Sequence, residues 1–380
     1  MPVTINSGLA DASNVFLLTT VILYALAMLC YSCDFAFRKD RLQAPEPVAA
    51  PVSATVATAV PAGVVPELVT VGGPAPAAAG LGSADLGSAG SGPAGAASAV
   101  ALARPGSGGP GSVGLDGPVR TSWWPSGIWM RSAFGLTLVG LAMHLAAILT
   151  RGLAEHRVPW GNMYEFITAI TFMAVLVLVA AAIRFRAHYL GLFVLLPVVL
   201  ALALDVTVIY TPAGNLVPAL NSYWIEIHVT AMIIATGLYI VGAVVTVLYL
   251  IADRNERRAL AGLPSRTAGL MAHLPATNIL DRLSYRSILF AFPVWTFGVI
   301  AGAIWADHAW GRYWGWDPKE TWSFITWVVY AGFLHARATG GWRGRKAAYI
   351  HLIGFGCLLF NLVGINLWIT GLHSYAGLGS

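Results

Sequence analysis

The sequence predicts an all-α polytopic membrane protein of about eight transmembrane helices, with both termini on the outer face. Three observations carry that expectation. Of its 380 residues, 57% are hydrophobic and only 10% are charged, whereas soluble domains carry roughly 25% charged residues. Apolar segments of about 20 residues, the length that crosses a bilayer as a helix, recur along the chain. The alternating pattern of a membrane barrel is absent. Finally, the 22 Lys and Arg residues fall very unevenly among the connections between those segments.

The first apolar segment, residues 14–33, has no basic region before it and is followed by Arg38, Lys39 and Arg41. It reads as a retained anchor within a unit 1–37, N-terminus outside, rather than a cleaved signal. Residues 38–125 form a second unit, almost entirely Ala, Pro, Gly, Ser and Val. That composition cannot bury enough apolar surface to offset its ordering entropy and predicts a disordered cytoplasmic linker. Seven further segments, at about 130–150, 164–183, 189–209, 224–252, 286–305, 321–338 and 347–371, make a seven-helix unit over 126–380. With the linker inside, 18 of the 22 basic residues face the cytoplasm and only Arg151, Arg157, Arg312 and Lys319 face out. The positive-inside rule favours that orientation.

Some readings are excluded or plain. The net charge of +5 does not point to nucleic acid, and the basic loop 253–285 reads as a topology determinant. Three cysteines do not make a disulfide framework. Cys30 and Cys33 have C-x-x-C spacing, but Asp34 follows them, so they are not a covalent haem attachment site and read as small hydrophobes.

Between the sixth and seventh membrane helices lies Trp305-Ala-Asp-His-Ala-Trp310-Gly-Arg-Tyr-Trp314-Gly-Trp316-Asp317-Pro-Lys-Glu-Thr-Trp322. Five indoles in this stretch exceed the needs of an interfacial belt and make a surface suited to a large planar ligand. Trp310 and Trp314, four residues apart, share a face if the stretch is a short interfacial helix. Asp317, Pro318 and Glu320 have the spacing of an N-cap, N1 and N3, the start of the next helix.

Nine histidines provide the second signal. His144, His335 and His351 lie inside apolar segments, where ionisable groups are costly and mark function by default. His228 and His373 sit at the outer ends of helices beside the tryptophan stretch. Two neutral imidazoles can supply both axial ligands of a haem iron, while indoles cover the porphyrin. Arg312 and Lys319 could neutralise its propionates. Spacing alone does not bring these residues together.

The stretch Trp310 to Trp322 resembles the WWD signature of haem-handling proteins, and its Asp-Pro-Lys-Glu continuation resembles the CcsA/ResC branch of system II cytochrome c biogenesis, labelled CcsB in high-GC Gram-positive bacteria. Tyr223-Trp-Ile-Glu-Ile-His228, Leu334-His335-Ala-Arg337 and Asn366-Leu-Trp-Ile-Thr-Gly371-Leu-His373 are similar to three histidine motifs of that family. Asn162-Met-Tyr164-Glu165 is similar to its early external motif, with Trp160-Gly161 replacing a more usual Leu-Ser. The resemblance covers about 130–380.

That resemblance implies a multi-pass protein of the bacterial cytoplasmic membrane that moves haem b to an outer-face site for thioether attachment to the C-x-x-C-H segment of an apocytochrome c. It implies His228 and His373 as axial ligands, Trp310, Trp314, Trp316 and Asp317 as the haem platform, and His335 as one ligand of an intramembrane haem. The second intramembrane ligand is expected on a ResB/Ccs1-type subunit, with His351 or His144 as alternatives. A thioredoxin-like thiol reductant and membrane lipid complete the implied partners, and the chain would be a subunit of a cytochrome c synthase complex. Two rival readings are a b-type cytochrome holding a permanent redox haem and a transporter of another flat substrate.

Overall fold

The computed structural model describes residues 5–37, 124–215, 220–264 and 274–373. Among them there are helices and connections and no strands. The expected linker falls almost wholly outside the described residues.

Eight long helices follow in chain order: α1 Ser7–Phe37, α2 Ile128–Glu155, α3 Met163–Phe185, α4 Gly191–Thr207 with a preceding 3-10 turn, α5 Tyr223–Leu260, α6 Thr277–Trp310, α7 Pro318–Ala338 and α8 Arg345–Trp368. All but α7 are long and apolar enough to cross a membrane. The more polar α7 carries Lys319, Glu320, His335 and Arg337 in its first and last turns and packs on α8. The helices confirm the all-α polytopic expectation. Two run further than the hydropathy suggests: α6 starts at Thr277, and α5 continues to Leu260 on a charged turn in which Asp253 accepts from Arg257 at 3.0 Å.

Long α5 is the common wall of two cores and packs against α3, α6 and α8. On one side Leu17, Tyr24, Phe134, Leu178, Leu195 and Val245 join α1–α4 to it. On the other, Tyr239, Ile288, Trp295, Tyr330, Phe333 and Leu358 join α5 to α6–α8. Tyr239 and Tyr330 stack at 4.0 Å between ring centroids and are fully buried, closing this second core below its cavity. One turn of α8, Phe360–Gly364, is π-helical rather than α-helical. Such turns hold an extra residue and recur at functional sites.

Candidate functional site

The site begins with how the tryptophan segment folds. The expected interfacial helix does not form. Trp310 is the last residue of α6, Gly311 turns the chain with φ 69°, and the segment from 311 to 317 is irregular until Pro318 opens α7. Trp314 therefore leaves the helical face it would share with Trp310. The cap on α7 forms as expected: Asp317 accepts from Lys319 N at 3.3 Å, and Glu320 accepts from Asp317 N at 3.1 Å and Gly315 N at 2.9 Å. Trp316 holds φ 57°, a strained conformation for a bulky residue, and exposes 65% of its surface.

Behind this segment is an open cleft between α3, α5, α6, α7 and α8, with a cavity volume of about 170 Å³. His228, Trp305, Trp310, Trp314, Lys319 and His373 all line it. Chain positions 228 and 373 thus converge on one space.

Both histidines are held by Nδ1. The ring of His228 has Nδ1 2.7 Å from the carbonyl of Gly298, and lies parallel to Trp305 at 6.2 Å. Its seat depends on Gly302, where an added Cβ would stand 2.6 Å from the imidazole. His373 has Nδ1 2.8 Å from Asp317 Oδ2, with Trp310 at 5.1 Å and Trp305 at 5.7 Å. Burial lowers the His373 pKa, against the opposing hydrogen bond to Asp317. Burial alone would raise the Asp317 carboxyl, but the bond from His373 and the Leu372 N–H, 2.8 Å from Oδ1, hold it below the usual carboxylate range. The pair is therefore a neutral imidazole donating to a carboxylate, the arrangement that orients ligating histidines in metal sites.

The other predicted residues divide clearly. Lys319 reaches into the cleft and donates to Asn366 Oδ1 at 2.7 Å. Arg312 does not line the cleft; its guanidinium fills the space over Gly315. Trp316 is outside the lining as well. Asn162 is at the lip, capping α3 through Glu165 N at 2.9 Å. Tyr164 turns away, onto Tyr210, and Glu165 is buried under the lip. His335 lies elsewhere, exposed on α7 one turn before its end. His144 and His351 are fully buried and line neither mouth nor wall of the cleft. Gly302 and Asn361 were not legible as site residues, since nothing local in the sequence marks them, and Trp160 and Asn366 were legible only as parts of motifs.

A cytochrome C assembly protein family profile matches residues 160–373, the span that contains every wall of the cleft. The chain belongs to this family. It is 35% identical to the cytochrome c biogenesis protein CcsA of Gloeobacter violaceus over 291 residues, covering 64% of this chain and 86% of that one. The CcsA of Guillardia theta is likewise 35% identical over 263 residues, with 64% and 85% covered. The CcsA of a Synechococcus strain, JA-3-3Ab, is 34% identical, with 64% and 86% covered. Membership places this multi-pass protein in cytochrome c biogenesis, with haem chemistry and apocytochrome c as its setting.

Proposed function

We propose that this chain holds haem b in the tryptophan-walled cleft, between His228 and His373, and presents it to apocytochrome c on the outer face of the bacterial cytoplasmic membrane. The observation that carries the reading is the convergence of those two histidines, each anchored at Nδ1, on one indole-lined space that Lys319 also enters. Haem is the cargo. Bis-imidazole ligation would hold its iron, the indoles would cover its faces, and Lys319 would meet a propionate.

In the attachment step each apocytochrome thiol adds across a haem vinyl group. One C–S bond and one C–H bond form, an S–H bond and the vinyl π bond are lost, and no net oxidation occurs. The protein's part is orientation and access, which convert a bimolecular encounter into a positioned one. The incoming histidine of the C-x-x-C-H segment would displace His228 or His373 and release the product. A thioredoxin-like reductant keeps the thiols free.

Orientation rests on the 18-to-4 division of basic residues, which supports placing the cleft outside. The exposure of His335 on the flank of α7 supports a second haem site shared with a ResB/Ccs1-type subunit, because an outward imidazole needs a ligand from another chain.

The test is spectroscopic. The chain is purified with its ResB-type partner, and Soret and α bands are recorded for wild type, His228→Ala and His373→Ala. Haem bound in wild type and lost or respectrally shifted in either variant is expected, with exogenous imidazole partly restoring it. No haem in wild type, or bands indifferent to both substitutions, overturns the assignment.

A further inference from the structure

The end of the bundle opposite the tryptophan segment holds a second cleft, with a cavity volume of about 510 Å³. It opens between the end of α3 and the start of α6. Its described lining includes Arg186, Arg282 and Arg286 with Phe185, Tyr189 and Ile279, and among those described residues no carboxylate. Among the described residues neither Arg282 nor Arg286 is paired with an acidic side chain. Arg286 is instead held 5.4 Å over the ring of Phe185, which fixes its guanidinium at the cleft edge.

We propose that this cleft binds the phosphate headgroup of an anionic membrane phospholipid. Ile279, Arg282 and Arg286 lie three and four residues apart and so share one face of α6. Continuing down that face, Leu289 and Phe290 are 44% and 66% exposed. The same face thus offers cations for a phosphate and then, one turn deeper, an apolar track for an acyl chain. On the α3 side Ile183 is 43% exposed, beside the same mouth. Basic pockets between membrane helices take anionic headgroups by this arrangement, and guanidinium forks suit phosphate oxygens. Among the described lining residues there is no His, Cys or Met to ligate iron, which separates the cleft chemically from the proposed haem site.

The experiment uses the full chain with its partner in detergent, with native mass spectrometry reading retained phosphatidylglycerol against phosphatidylcholine. Wild type is compared with the double variant Arg282→Gln/Arg286→Gln and with Arg254→Gln/Arg258→Gln, which removes the same charge elsewhere at this end. Selective retention of phosphatidylglycerol in wild type and in the control, with a tenfold or greater loss in the double variant, is expected, and its haem bands should match wild type. Equal retention in the double variant, or equal loss in the control, overturns the proposal. Displacement of the lipid by millimolar inorganic phosphate, or by haem, overturns the lipid as occupant.

Discussion

Asp317 carries two jobs on one carboxylate. It caps α7 through Lys319 N and orients His373 through Nδ1, while Leu372 N takes its other oxygen. Asp317→Asn separates these jobs, because Asn and Asp cap helices about equally well. The amide leaves α7 in place but replaces the carboxylate that accepts from His373. The expected result is an unchanged unfolding temperature with a shifted Soret band and a lower yield of holocytochrome. An unshifted band would mean that the carboxylate does not orient the imidazole. The cap was legible in the sequence from the Asp-Pro-Lys-Glu order. Its second partner was not, since 56 residues separate Asp317 from His373 and only the return of the chain after α8 joins them. Gly302 was hidden for a similar reason: a glycine in an apolar helix carries no mark of the imidazole packed on it.

The connection from α2 to α3 is held by a cluster of buried charges. Glu165, with a fully buried side chain, meets Arg151 at 3.2 Å and Arg157 at 2.9 Å, and Glu155 meets the same two arginines at 3.0 and 2.7 Å. Glu165 also accepts from Gly161 N at 2.7 Å and Asn162 Nδ2 at 3.0 Å, so the charges fix the backbone of the cleft lip, where Trp160 donates to Thr230 at 3.2 Å. Removing one member of such a cluster leaves buried cations uncompensated, at a cost of about 3–5 kcal/mol. Glu165→Ala should therefore lower thermal stability in detergent by that amount. A change within about 0.5 kcal/mol, the usual range for surface sites, would show the cluster to be idle. The motif Asn162-Met-Tyr164-Glu165 could be read from sequence, but not its form. The acid serves the lip from beneath and does not face the cleft.

At the scale of the whole molecule, hydropathy fixed the number of helices because each must satisfy its own backbone in lipid and so needs a continuous apolar run. It missed the end of α5 and the start of α6, charged extensions held by pairs such as Asp253 with Arg257 and Asp281 with Arg337. The division of basic residues sets the expected orientation. With Cys30, Cys33 and Cys357 changed to Ser, a cysteine placed at exposed His308 should react with an impermeant maleimide added from outside, and one at exposed Ala261 should not. The reverse pattern would invert the topology and with it the placement of the proposed haem site.

The π-helical turn at Phe360–Gly364 has a consequence for all that follows it. Each residue of an α-helix advances the face by about 100°, so one residue more or fewer in that turn swings Asn366 and the segment ending in His373 to another side of the bundle. Asn361 and Leu362, inside the turn, already line the cleft. The end of α8 is thereby indexed by a count before its contacts with Lys319 and Asp317 can form. The turn acts as a detent, and the meeting of His373 with Asp317 depends on five residues standing where a regular helix would seat four.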